Sequence, residues 1–367
     1  MKRIAIFVNT PAQLHFYRNI AKRLEQKGNQ VNMLFRDYGE TLRLAQEFGF
    51  NPLIFSKQRP TSLQKMIFFP VDIMRSVRIF RGQNPDVVTG FGIDSVYASA
   101  FAGSKSIVFS DSEPRSHRLL HFQYDLFKPL TDVIITPSSF LDDLGSKHIR
   151  VNSYKELAYL HPNCFQPSND IFDLLGISRN EDFAILRFNA FDAVHDLQVS
   201  GFNSEQKVKL VETLDRHAHV FVSAEGSVPK RIEKNVLKIP KRRIHDLLYY
   251  AKLFVTDTQT MATEAAILGT PTIRSNNFVD EKREMGNFLE LEKKYGLLFS
   301  ICDRNRAISL AEELIKYDGL KKEWTRRREV LLKDKIDISS FMTWFIENYP
   351  ESCKEIKSDS KIQFKFR

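Results

Sequence analysis

The sequence predicts an α/β protein built as two doubly wound domains, and three observations carry that prediction. Short apolar runs alternate with helical segments from the N-terminus onward, which implies parallel sheets covered on both faces. The alternation breaks once, near Lys155–Pro167, and then restarts. At 367 residues the chain is also longer than most single cores.

The elements follow in order. Ile4–Val8 reads as the first strand, and Gln13–Gln26 as a helix ended by Gly28. Gln30–Phe35 is a strand, Glu40–Phe48 a helix, Pro52–Phe55 a short strand and Ser62–Phe80 a long basic helix. Asp86–Thr89, Ser106–Phe109 and Asp132–Ile135 are further short strands, with helices starting near Asp94 and His117. Lys155–Pro167 (KELAYLHPNCFQP) holds two prolines and reads as an interdomain connection. Beyond it, Phe183–Phe188 and His219–Val222 are strands around a helix at Ser204–Arg216. Arg231–Ile239 holds a turn and a strand, Ile244–Ala251 a helix, and Gly296–Ser300 a late strand after a helix near Lys282–Lys294. Asn305–Lys316, Lys321–Lys333 and Ser340–Tyr349 close the chain as helices, and the charged tail after Glu351 is expected to fray. The expected domains are 1–165 and 166–339, with the segment from about 340 to 367 packing back on the first. A ligand is expected in a cleft faced by the carboxyl edges of both sheets.

The most specific segment is Leu253–Ile273 (LFVTDTQTMATEAAILGTPTI). It reads as a buried strand, a polar turn, a helix and a second strand. Ala262, Ala265 and Ala266 let the helix lie close to a sheet, and Gly269 with Pro271 ends it. Thr258, Gln259 and Thr260 therefore stand at a strand's carboxyl end and a helix N-terminus. Free N–H groups and the helix dipole favour a phosphate there. Glu264 lies one turn beyond Thr260, too far along to cap the helix but well placed to accept hydrogen bonds from a ribose diol.

Bulk composition narrows the classes. The net charge of +9 favours acidic partners such as nucleotides, phosphorylated sugars or anionic lipid. No basic run with interleaved aromatics resembles a nucleic-acid module, so no nucleic-acid partner is expected. Cys164, Cys302 and Cys353 show neither a disulfide framework nor metal-ligand spacing, and suit a reducing cytoplasm. No signal peptide or spanning segment is expected.

Other candidates are less specific. His15, in the loop-to-helix segment NTPAQLHF, can act as a general base near neutral pH or be an ordinary helix histidine. Asp94 follows Gly90 and Gly92, and capping of the next helix is its expected first role. Glu113 lies with Asp111 just past a strand end and is the second candidate base. Arg187 ends a strand, where an inward guanidinium needs an anionic partner. His195 in RFNAFDAVHD and Glu281 in NNFVDEKR can contact a sugar or its phosphates, or be ordinary loop and helix-start residues. The segment 56–81 mixes Lys57, Arg59, Lys65, Arg75, Arg78 and Arg81 with Met, Ile and Phe. It can lie on an anionic bilayer as a peripheral contact, or be a core-packing helix with a solvated basic side; the second reading is preferred.

Two doubly wound domains, a phosphate turn late in the second and a Glu on its helix resemble the glycosyltransferase-B (GT-B) superfamily. That superfamily holds nucleotide-sugar glycosyltransferases and the non-hydrolysing UDP-N-acetylglucosamine 2-epimerases. The resemblance implies two Rossmann-like domains facing a cleft. Thr256–Pro271 looks like the epimerases' segment of Asp, small polar residues, Glu–Ala and Gly–x–Pro. It implies that Thr258, Gln259 and Thr260 contact the diphosphate and that Glu264 holds the ribose. Gly90–Ala100 and Ser110–Arg115 are similar to segments carrying two catalytic carboxylates of the epimerases, with Asp94 and Glu113 in similar places. The third epimerase carboxylate has no clear counterpart in His117–Phe127. KELAYLHP, RFNAFDAVHD and VDEKREMG are also similar to an archaeal-type family known only as a domain of unknown function.

The leading expectation is a cytoplasmic GT-B glycosyltransferase, peripheral at the inner membrane surface if the 56–81 segment binds lipid. It uses a UDP-linked or similar sugar on a glycan or lipid-linked acceptor. Arg187, His195, Thr258, Gln259, Thr260, Glu264 and Glu281 bind the nucleotide sugar, and His15, Glu113 and Asp94 are the catalytic candidates. No cofactor and no metal ion is expected beyond the nucleotide sugar as substrate. The alternatives are a nucleotide-sugar 2-epimerase and a non-catalytic nucleotide-sugar-binding protein.

Overall fold

A computed structural model describes residues 1–80, 84–116, 118–189, 201–276, 279 and 284–367. It divides into two compact units, Met1–Cys164 with Lys335–Arg367, and Phe165–Asp334.

The first unit holds seven parallel strands: β1 (Arg3–Val8), β2 (Gln30–Asp37), β3 (Leu53–Lys57), β4 (Val87–Gly90), β5 (Lys105–Phe109), β6 (Val133–Pro137) and β7 (His148–Val151). Their order is β3-β2-β1-β4-β5-β6-β7. The central strands are apolar on both faces because helices cover both. The chain winds outward from β1 to β3, then crosses back to start β4 on the other side of β1. Loops after β1 and β4 therefore share the point where the winding reverses.

Strand β7 escapes the sequence reading because its side chains alternate. Ile149 and Val151 are buried while Arg150 is exposed, as suits a short edge strand. Two expectations are corrected. The segment 155–162 is not a linker: helix Leu157–Leu160 is wholly buried in the first unit, and Asn19 Nδ2 donates to the Ala158 carbonyl at 2.9 Å. Nor does the charged tail fray. Helix Glu351–Ser358 and the turn Ser360–Phe366 bury Ser352, Ile356 and Gln363. Gln363 Oε1 accepts from the Asn152 N–H at 2.6 Å, and the Phe366 ring meets Phe341 with centroids 5.7 Å apart. What docks is the Ile356 side chain together with polar side chains satisfied inside the unit, as where Ser352 Oγ donates to the Phe345 carbonyl at 2.7 Å.

The second unit has five parallel strands: β8 (Phe183–Phe188), β9 (His219–Ala224), β10 (Leu253–Thr256), β11 (Thr272–Arg274) and β12 (Leu298–Ser300). Their order, β12-β11-β10-β8-β9, puts the reversal between β8 and β10. Helix Thr260–Ile267 lies on the sheet through Ala262, Ala265 and Ala266, all fully buried. Gly269 ends it at φ 78°, and a Cβ there would come within 3.1 Å of the Arg328 Cβ. Only glycine serves both the backbone angle and that approach.

Candidate functional site

Each unit gathers polar side chains at its own reversal point, where open α/β sheets bind ligands. In the first unit three elements contribute. Asn9 follows β1, Arg36 ends β2, and Asp94 stands in the first turn of helix Ile93–Ala102 after β4. Arg36 Nη2 donates to both Asp94 oxygens, at 3.1 and 3.0 Å, and Asn9 Nδ2 donates to Oδ2 at 2.9 Å. Asp94 is 4% exposed. The expected capping role is corrected: Gly92 occupies the N-cap position at φ 143°, and no side chain caps the helix. Asp94 is instead committed to Arg36 and Asn9, whose Nε and Oδ1 atoms are buried and make no hydrogen bond.

His15 lies in the second turn of helix Pro11–Gln26, half-buried between the Tyr159 and Phe48 rings, with centroids at 5.1 and 5.6 Å. Tyr159 comes from the KELAYLHP segment, which explains why that segment is buried here. Past β5, Glu113 is almost fully buried. Its Oε1 accepts from the Leu141 N–H at 3.3 Å, and its Oε2 lies 4.0 Å from Arg115 Nε. Asp111 beside it pairs with Lys155, which also reaches Glu156 at 3.4 Å. Burial works against the Lys155 charge, yet Asp111 and Glu156 hold its pKa above the ordinary lysine value. The acidic cluster read from sequence is therefore partly neutralised from within.

In the second unit, the loops after β8 and β10 are tied together. The Asn189 N–H donates to Asp257 Oδ1 at 2.8 Å, and Asn276 Nδ2 donates to the Asp257 carbonyl at 2.8 Å. Asp257 Oδ2 is buried and unpartnered, and burial raises this carboxyl to about 6 against the pull of the Asn189 N–H and Lys207. Directly above stand Thr258, Gln259 and Thr260, half-exposed over a fully buried strand. Thr258 is pinned from below: its N–H and hydroxyl both meet Thr256 Oγ1, at 2.9 and 2.8 Å. Gln259 is the N-cap residue and makes no side-chain cap bond. The Thr263 N–H is the first amide in this helix to bond back to the turn, to the Gln259 carbonyl at 3.2 Å. The preceding N–H groups face the turn, as any helix start requires.

Arg187 at the end of β8 already has an anion within its unit: it pairs with Glu225 and donates to Ser223 Oγ at 2.8 Å, leaving Nε buried without a partner. Glu264, 5% exposed, faces His245 Nε2 at 3.2 Å. His245 opens helix Ile244–Tyr250 directly after the basic 238–243 loop. Arg243 anchors that loop on Asp170 and, at 2.7 Å, on Asp246, while Lys241 and Arg242 are exposed. His195 and Glu281 lie outside the described residues. Sequence reasoning missed Arg36, His245 and Lys155. Arg36 carried the signal that singled out Arg187, an arginine at the end of a parallel strand.

Residues 3–289 match the family described as a protein of unknown function, DUF354. An uncharacterised protein of Methanocaldococcus jannaschii is 23% identical over 278 residues, covering 72% of this chain and 79% of that one. Among solved structures, S. aureus MnaA with UDP is similar at TM-score 0.64 and 15% identity, covering 93% of this chain and 94% of that one. The UDP-GlcNAc 2-epimerase of M. jannaschii gives 0.63 and 14%, with 90% and 99% covered. The glycotransferase of kitacinnamycin gives 0.58 and 13%, with 93% and 98% covered. At such identities the shared property is the fold. The match over residues 3–289, most of the chain, establishes that this protein, with its two parallel-sheet α/β units, belongs to the DUF354 family.

Proposed function

We propose that this protein is a GT-B glycosyltransferase that takes a nucleotide-diphosphate sugar, UDP-linked, and passes the sugar to a glycan or lipid-linked acceptor. One observation carries the reading. The 258–260 turn is the half-exposed polar element over a buried, hydrogen-bonded scaffold at the second unit's reversal point, with the Glu264 carboxylate one turn further on. Amides of the turn and the Thr260 hydroxyl take the diphosphate, where leaving-group charge develops. Glu264, oriented by His245, accepts from the ribose hydroxyls. Arg187 adds a guanidinium beside the turn, shared with Glu225. The first unit supplies the base for the acceptor, His15 or Glu113. His15 is the more accessible of the two.

A 2-epimerase is the second reading, favoured by the buried carboxylates Asp94 and Glu113 after neighbouring strands β4 and β5. A panel of nucleotide sugars in a thermal-shift assay tests both, since a true donor stabilises the folded chain by mass action. The stabilising sugar is then incubated with the protein alone in D2O. An unchanged sugar that turns over only when an acceptor is added supports the transferase. Deuterium at C2 without an acceptor assigns the epimerase, and no stabilisation by any nucleotide sugar overturns both.

A further inference from the structure

Helix Ser62–Phe80 leaves residues 63–68 all exposed, apolar side chains included. Met66, Leu63 and Ile67 are 73%, 66% and 60% exposed, and Phe68, Val71 and Met74 are exposed beside them. Further along it buries Asp72 and Ser76 together with Ile73 and Phe80. Asp72 accepts from Ser56 Oγ at 2.7 Å and pairs with Arg59 at 3.5 Å. A helix facing only water does not arrange its side chains this way.

The apolar surface continues onto two further helices. The rings of Phe69 and Tyr97 lie 5.5 Å apart, and Tyr97 Oη donates to the Leu126 carbonyl at 3.4 Å. Helices Ser62–Phe80, Ile93–Ala102 and Arg118–Phe127 are thus side by side, and the latter two expose Phe101, Leu119 and Phe122. Among the described residues of the second unit, only Leu174, Tyr317 and Val330 are exposed large hydrophobics. Such a concentration on one set of neighbouring helices marks an interaction surface.

Its charge identifies the partner. Lys65, Arg75 and Arg78 are exposed on the long helix, and the helix's one acid, Asp72, is buried. The exposed charge of that helix is therefore wholly positive. A second copy of the chain pairing through the same face would set these cations against each other. An anionic bilayer matches both features: its interface takes the apolar side chains, and its phosphates take the cations on their long stems. Among the described residues no helix is long and apolar enough to cross a membrane, so the face lies on the bilayer rather than through it.

We propose that the three-helix face of the first unit docks this protein on anionic lipid. The proposal does not depend on which nucleotide sugar, if any, the second unit holds. The test is flotation of the full chain with phosphatidylcholine vesicles, with and without phosphatidylglycerol, at low and high salt. Co-flotation is expected only with phosphatidylglycerol, weakening as salt rises. The double variants Met66→Glu/Ile67→Glu and Arg75→Glu/Arg78→Glu are each expected to lower the bound fraction on the order of tenfold. Both pairs are at exposed positions, so melting temperature should not move. Failure of the wild-type chain to float with any vesicle overturns the proposal. So does binding that survives Met66→Glu/Ile67→Glu, or a self-associated dimer in sedimentation that the same variants dissolve without any vesicle binding.

Discussion

Replacing Glu264 by glutamine is expected to weaken UDP binding on the order of 30-fold, about 2 kcal/mol, with the fold intact. The carboxylate is nearly buried and faces His245 at 3.2 Å, so it is held in one orientation before any ligand arrives. A ribose presents two neighbouring hydroxyls, both donors. A carboxylate accepts both, whereas the amide offers one acceptor and one donor, which sets a donor against one hydroxyl. Glutamine keeps the volume of the side chain and a hydrogen bond to His245, so the helix packing through Ala262, Ala265 and Ala266 is left in place. Calorimetric titration with UDP reads the effect, and an unchanged affinity in a variant with normal melting removes Glu264 from the ribose site.

Lowering the pH from about 8 to about 5.5 is expected to tighten binding of a nucleotide-diphosphate sugar about tenfold, through Asp257. This carboxyl is raised to about 6, chiefly by burial, and one of its oxygens has no partner. A diphosphate above it at the 258–260 turn adds negative charge and raises the carboxyl further. Proton uptake and donor binding then assist each other, and each unit of further rise is worth a factor of ten in linked affinity. The sugar-linked diphosphate has no ionisation near pH 6, so the protein is the source of the dependence. The sign for the free protein follows the same logic. A carboxyl raised in the folded state costs stability as pH rises from its unfolded value of 3.8 to about 6, and the cost stays constant above that. Asp257→Asn keeps the acceptor for the Asn189 N–H, and is expected to be more stable than wild type above pH 6 with a flat binding profile. A wild-type profile already flat from pH 5.5 to 8 would show that no anion sits near Asp257.

How far the sequence could be read depends on whether a feature is local. Strand β8 is bounded by polar residues and apolar on both faces, and its range Phe183–Phe188 is recovered to the residue. Helix Ser62–Phe80 is also recovered end to end, yet which side it turns outward was not legible. Its apolar content suits a core as well as a membrane surface, and only the neighbours decide. The turn at 258–260 announces itself because strand, polar turn, helix and glycine follow one another in a single stretch. The Arg36–Asp94–Asn9 cluster does not, because its members come from three strands' ends, brought together only by the sheet order. Asp94 was legible as a cap because a carboxylate in a first helical turn is usually that; the arginine that takes it lies 58 residues away. Lys155 is similar. In the sequence it is one more cation in a proline-containing stretch, and its role appears only once Asp111 is seen against it.

Amide hydrogen exchange of the full chain with and without saturating UDP tests the donor site most directly. Slowed exchange is expected in two stretches of the second unit, residues 256–264 with the diphosphate turn and Glu264, and residues 237–245 leading into His245. Protection confined to the first unit, or no change in the 256–264 stretch at UDP concentrations that saturate binding, would contradict it.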